Sequence, residues 1–126
     1  MSWQAYVDTN LLGSGKVNRA AILGQKGGVW AASSSYTLSA QEQAAAVKLF
    51  ADPAQAQANG VRLGGQKFFV INANERSVYG KKGGSGCVLV KTKQAVLVAE
   101  YDPPTQQTEC TTIVEGLADY LIGVSY

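Results

Sequence analysis

Histidine is absent from the 126 residues. Its absence removes the Ser-His-Asp and Cys-His arrangements of nucleophilic catalysis and the usual acid–base group at neutral pH. Cysteine occurs only twice, at Cys87 and Cys110, with no histidine to share a metal. No apolar run approaches the ~18 residues that a membrane span needs. The opening Met1-Ser2-Trp3-Gln4-Ala5-Tyr6 has neither the basic start nor the apolar core of a secretory signal. A cytoplasmic chain is expected, and in that compartment both thiols stay free, partly buried and acting as small hydrophobes.

The motifs of phosphate and acyl chemistry are incomplete as well. Gly13-Ser14-Gly15-Lys16 suggests a phosphate loop, but Asn10 stands where the leading glycine belongs and Val17 where Ser or Thr must follow the lysine. Gly83-Gly84-Ser85-Gly86-Cys87 misses a nucleophile elbow because Cys87 replaces the second glycine. The nine carboxylates are scattered, and no spacing pairs two of them for acid–base work. The expectation is a binding protein without catalysis and without a cofactor or metal.

What is present favours a compact fold. Charged residues make up only 16% against 46% hydrophobic, a balance that supports a buried core rather than disorder. The length suits one domain spanning 1–126. Charge is unevenly spread. Arg62, Lys67, Arg76, Lys81, Lys82, Lys91 and Lys93 crowd one segment with Glu75 as its sole acid, while the rest carries four basic and eight acidic side chains. Such asymmetry suits either an acidic partner or simply solvated strand faces.

Local signals outline an α+β fold with a central antiparallel sheet of about seven strands. Ser2 can cap a helix from Trp3 to Leu12 that Gly13 and Gly15 end. Strands are predicted over Val17–Leu23 and Val29–Ala32, joined by a Gly-rich turn. Ser39-Ala40-Gln41-Glu42 is a capping box opening a helix that runs to Ala51, where Asp52-Pro53 stops it. Short β-type runs follow: Val61–Leu63, Gln66–Ala73, Ser77–Lys81, Cys87–Lys93 and Ala95–Tyr101. Gly83-Gly84-Ser85-Gly86 reads as a flexible connector. A last helix is predicted over Thr108–Ile122, with Gly123 as its cap.

Eleven aromatics are present, and several lie near the chain ends. Trp3 and Tyr6 stand one helical turn apart, Tyr120 lies on the last helix, and Tyr126 is near it. If the first and last helices pack together, these rings gather into one patch. They then form either ordinary core or an aromatic groove of the kind on which polyproline II segments dock.

Several blocks resemble one known family. Ser2-Trp3-Gln4-Ala5-Tyr6-Val7-Asp8 resembles the N-terminal signature of the profilins. Gly64-Gly65-Gln66-Lys67, Arg76-Ser77-Val78-Tyr79-Gly80, Lys91-Thr92-Lys93-Gln94 and Leu117-Ala118-Asp119-Tyr120-Leu121-Ile122-Gly123 resemble its later blocks in the same order. The similarity spans the chain and is nearest to fungal profilins. It implies the first and last helices together on one sheet face and a further helix on the other. It also implies a polyproline groove of Trp3, Tyr6, Trp30, Tyr120, Leu121 and Tyr126.

For actin, the resemblance implies a separate site around Lys67, Val70, Asn72, Lys81, Thr111, Thr112 and Glu115. Asn72 and Thr112 depart from the Arg and Lys that relatives often carry there, which implies weaker charge complementarity. Phosphoinositide binding through Arg76, Lys81 and Lys82 is a further family expectation. The implied function is a monomeric, cytoskeleton-associated protein that binds monomeric actin, promotes its nucleotide exchange and docks proline-rich assembly factors of the formin type. The competing reading is a basic sheet module for phosphoinositide or nucleic acid, with Phe68, Phe69 and Tyr79 as stacking candidates. Adjacent Phe68 and Phe69 cannot both face outward from one strand, which counts against nucleic acid.

Overall fold

The structure, a computed structural model, describes residues 2–126. Seven strands form one antiparallel sheet in the order β2-β1-β7-β6-β5-β4-β3. They are β1 (Arg19–Gly24), β2 (Val29–Ala32), β3 (Val61–Leu63), β4 (Gln66–Ala73), β5 (Ser77–Lys82), β6 (Ser85–Lys91) and β7 (Ala95–Tyr101). The four α-helices are α1 (Trp3–Ala5), α2 (Ala40–Lys48), α3 (Pro53–Asn59) and α4 (Gln107–Gly123).

Strand alternation separates two cores. Along β7, Ala95, Leu97 and Ala99 face one cluster, and Val96 and Val98 face the other. The first cluster is closed by Val7 and Leu11 near the N-terminus and by Cys110, Val114, Leu117, Ala118 and Leu121 of α4. The second is closed by Leu38, Ala46, Leu49, Phe50 and Ala56 from the α2–α3 region. Period-2 alternation thus feeds both cores from one sheet, and the helices near the two chain ends share a face.

The N-terminal helix begins as expected, with the Ser2 hydroxyl accepting from the Ala5 amide at 3.1 Å. Beyond Ala5 it widens into a π-helical stretch, Tyr6–Leu11, and then tightens into a 3₁₀ turn, Leu12–Ser14, which ends at Gly15. The Ser39–Glu42 capping box forms with both of its reciprocal bonds.

Asp52-Pro53 does more than stop α2. Asp52 accepts from the Gln55 amide, and Pro53 opens α3 at the position where its missing N–H costs nothing. Gly60, with φ of 71°, follows that helix. This helix was absent from the sequence expectation, although Asp-Pro ahead of it and Gly behind it were its signal.

Several boundaries also move by one or two residues, those of β1, β5, β6 and α4 among them, whereas β3 and β4 stand as expected. β6 begins at Ser85, so the connector shrinks to Gly83-Gly84 between paired Lys82 and Ser85. Gly64-Gly65 joins β3 to β4 with both φ values positive, as a tight two-residue hairpin requires. Helix α4 runs through Gly123, and its left-handed cap residue is Ser125 rather than glycine. Cys87 and Cys110 are free and fully buried in different clusters. Burial pushes both thiols up, Cys110 to about 12, so they stay protonated and unreactive.

Candidate functional site

Four rings meet at the joined chain ends. The Trp3 ring centre lies 5.5 Å from Tyr6, 4.7 Å from Trp30 and 5.3 Å from Tyr126, the last pair edge to face. Tyr6 continues the row to Tyr120 at 6.3 Å. Such separations lie in the range where ring quadrupoles attract. Trp30, Tyr120 and Tyr126 are exposed, and Trp3 and Tyr6 half-buried. This is a surface platform, not core.

Each ring is placed by its own element. Gln4 ties the N-terminal helix to β2 by donating to the Ala32 carbonyl at 2.8 Å. Trp30 projects from β2 and lies across Gly24 of β1, where a Cβ would come within 2.6 Å of the indole nitrogen. Gly24 therefore leaves the space that the indole fills. Partial burial and the neighbouring phenols of Tyr120 and Tyr126 push the Tyr6 hydroxyl up from its usual value. Leu121 departs from the expectation. It is fully buried in the first core, because α4 turns it one residue past Tyr120 toward the sheet, and it supports the platform from beneath.

The second expected site divides. Ile71, Asn72 and Tyr79 of β4–β5 and Thr108, Thr111 and Thr112 of α4 line one concave surface. The Thr111 hydroxyl is buried there without a partner among the described residues. Lys81 is paired across from Phe69, half-exposed, with its ammonium 5.8 Å from the Tyr101 ring centre.

Three expected members behave otherwise. Val70 turns to the opposite sheet face and packs on the second core. Phe69 and Ile71 are the exposed apolar residues, 70% and 51% accessible. An irregularity between Val70 and Asn72, where the register with β5 shifts, puts Ile71 and Asn72 on the same concave surface. Lys67 lies at the other end of β4, lining a cleft with Gln41, Glu42 and Leu49. Glu115 is engaged internally. One of its oxygens accepts from the Ser77 and Tyr79 hydroxyls at 2.6 Å each, and the other pairs with Arg76 at 2.9 Å. Burial, with the Glu115 bond second, pushes Tyr79 up to about 12.

Arg76 also pairs with Asp119 at 2.7 Å, and its pKa is raised above the usual value chiefly by that bond. Its guanidinium is shared between two carboxylates, although the side chain stays partly exposed. Lys82 is exposed and donates to Gln66, and it does not converge with Arg76. Phe68 is buried and Phe69 exposed, as strand alternation requires.

One acid is buried elsewhere in the sheet. Glu100 is 3% exposed, and burial pushes its carboxyl up. Its partners are internal: the Tyr36 hydroxyl and Arg19, which also grips Asp102 through two 2.9 Å bonds. The cluster fastens the β2–α2 loop to β7.

Comparison with known proteins agrees with this geometry. The sequence profile of the Profilin family matches residues 1–126. The chain is 50% identical to the profilin of Saccharomyces cerevisiae, with each chain covered in full. Its fold superposes on the crystal structure of Schizosaccharomyces pombe profilin with a TM-score of 0.97 at 48% identity, covering 99% of this chain and all of that one. Mouse profilin IIa in complex with a double repeat from the FH1 domain of mDia1 shares the fold at 21% identity. Its TM-score is 0.79, and both chains are covered in full.

Proposed function

The chain belongs to the profilin family, and on that premise we propose that it binds monomeric actin and proline-rich segments through two separate faces. It acts by binding, in the cytoplasm and on the actin cytoskeleton. It holds an actin monomer in a more open conformation that exchanges nucleotide faster and hands it to proline-rich assembly factors.

The observation that carries this reading is the row of rings from Trp30 through Trp3 and Tyr6 to Tyr120, flanked by Tyr126. Exposed rings with indole and phenol donors suit a polyproline II helix, which offers flat prolines and unpaired carbonyls. The mouse relative was captured with an FH1 repeat, which supports the same ligand class here. The actin reading is supported by the concave surface between β4–β5 and α4, with Ile71 in its lining and the cross-strand pair of Phe69 and Lys81 on the same two strands. Actin is acidic, and a basic face speeds encounter with such a partner.

Retention on a polyproline resin tests the platform. The purified protein is expected to be retained, and a folded Tyr6→Asp variant to flow through. Equal retention of the two would sink this reading. The basic-sheet alternative loses ground because Arg76 is spent in ion pairs and Tyr79 in a bond to Glu115.

A further inference from the structure

The block Lys91-Thr92-Lys93-Gln94 ends β6 and leads into β7, and the proposed function gives none of its side chains a ligand contact. Beyond Gly123 the chain reverses through Ser125, whose φ is +72°. The Ser125 amide donates to the Ile122 carbonyl at 3.1 Å and the Tyr126 amide to the Leu121 carbonyl at 2.8 Å. These two bonds make a Schellman turn. They satisfy the end of α4 but leave the Ser125 and Tyr126 carbonyls to find partners elsewhere.

The β6–β7 connection supplies those partners. The Gln94 amide and the Thr92 hydroxyl donate to the Tyr126 carbonyl at 2.6 and 2.7 Å. The Gln94 side chain donates to the Ser125 carbonyl at 2.9 Å. Thr92 is 4% exposed, and its hydroxyl also accepts from the Ala95 amide at 3.0 Å, which fixes its orientation. The Tyr126 ring itself remains 44% exposed, against Trp3.

We propose that Thr92 and Gln94 are positioning residues for the aromatic platform. They clamp the backbone of Ser125 and Tyr126 so that the Tyr126 ring stands edge-on to Trp3 before any ligand arrives. Neither residue meets the ligand; both act through Tyr126. The clamp rests on β6 and β7, among the most buried strands of the sheet, and a site held by rigid elements loses less freedom on binding. This inference depends on the platform being the proline-rich site.

The test is a titration with a decaproline peptide, followed by tryptophan fluorescence. Thr92→Val keeps the side-chain shape and removes the hydroxyl. It is expected to bind about 5-fold more weakly, the worth of one net hydrogen bond, and Thr92→Ser to restore the affinity. In a Tyr126→Ala background, Thr92→Val is expected to add nothing, because the two act as a unit. Gln94→Ala, a change at an exposed site, is expected to lose about 2-fold and carries the same test if Thr92→Val does not fold.

Wild-type affinity in a folded Thr92→Val, or an undiminished loss in the Tyr126→Ala background, would overturn the proposal. Proton cross-relaxation between the Trp3 and Tyr126 rings gives a ligand-free readout. It is expected at full strength in the wild type and in Thr92→Ser and should weaken in Thr92→Val, where the Gln94 bonds still hold part of the clamp; undiminished intensity in Thr92→Val overturns the clamp. A wild type that shows this ring contact but ignores decaproline would overturn the proposed function instead.

Discussion

The aromatic platform and the β4–β5 sheet face are built in opposite ways. On the platform, the side chains that would meet a ligand hold one another: Trp3 touches three rings, and Tyr6 passes the row on to Tyr120. On the sheet face, much of the polar equipment is paired with itself. Arg76 is neutralised by Glu115 and Asp119, and Glu115 also takes the Ser77 and Tyr79 hydroxyls. What remains outward there is Phe69, Ile71 and the uncharged Asn72, with Lys81 beside them. A ring keeps its binding surface while it packs on a neighbour. A charge that finds an internal partner has largely lost its use for an external one.

That contrast can be broken most sharply at Trp3. Trp3→Ala removes the ring at the centre of the row and is expected to cost about 3 kcal/mol of decaproline affinity, as for a central hot spot. Actin affinity should stay unchanged, which a calorimetric titration of each ligand would show. Glu115→Ala comes next and should act on stability first. It strands two hydroxyls and half of Arg76's pairing, at a cost of about 2 kcal/mol in urea unfolding. A folded variant of unchanged stability that loses actin alone would return Glu115 to the ligand face.

Lys81→Glu is a smaller perturbation, about 1 kcal/mol against actin for an exposed charge. Peptide affinity should hold, since distant sites act independently. Loss of both ligands together would mean that the two faces are not separate. The smallest effect belongs to Asn72→Arg and Thr112→Lys, each expected to tighten actin by a few tenths of a kcal/mol. The gain should shrink as salt screens it. A gain that ignores ionic strength would show that charge is not what those positions lack.

The platform was readable in the sequence to the extent that local spacing defines it. Trp3 and Tyr6 share a helical face at any plausible helix boundary, and Phe68 and Phe69 must part on any strand. The Ser39 capping box announced α2 in the same local way. Trp30 was not readable from pattern, because its role depends on Gly24 across the β1–β2 pairing, a space that only the fold defines.

The sheet face was least legible. The partners of Arg76 lie 39 and 43 residues along the chain, so its clustering with other basic residues looked like a basic surface. Val70 follows plain alternation, which sets it on the same face as Phe68, against the second core. The shift beyond it, which brings Ile71 and Asn72 to one surface, leaves no mark in composition. Leu121 looked like its neighbour Tyr120, yet one residue is 100° of rotation on a helix and separates surface from core.

Helix α4 carries one end of each face. Thr112 borders the concave surface beside β4, and Tyr120 closes the row of rings. Both belong to one unbroken helix of 17 residues, and its rise sets them about 12 Å apart along the axis. The interval behaves as a ruler, fixed by backbone hydrogen bonds rather than by flexible chain. A factor that grips the rings with prolines and reaches for whatever sits on the sheet face must span that interval. A flexible spacer on the order of five residues has the matching root-mean-square reach. Much longer spacers dilute the second contact, because effective concentration falls steeply once length exceeds span. The helix therefore writes a preferred spacing into the sequence of any partner that uses both faces.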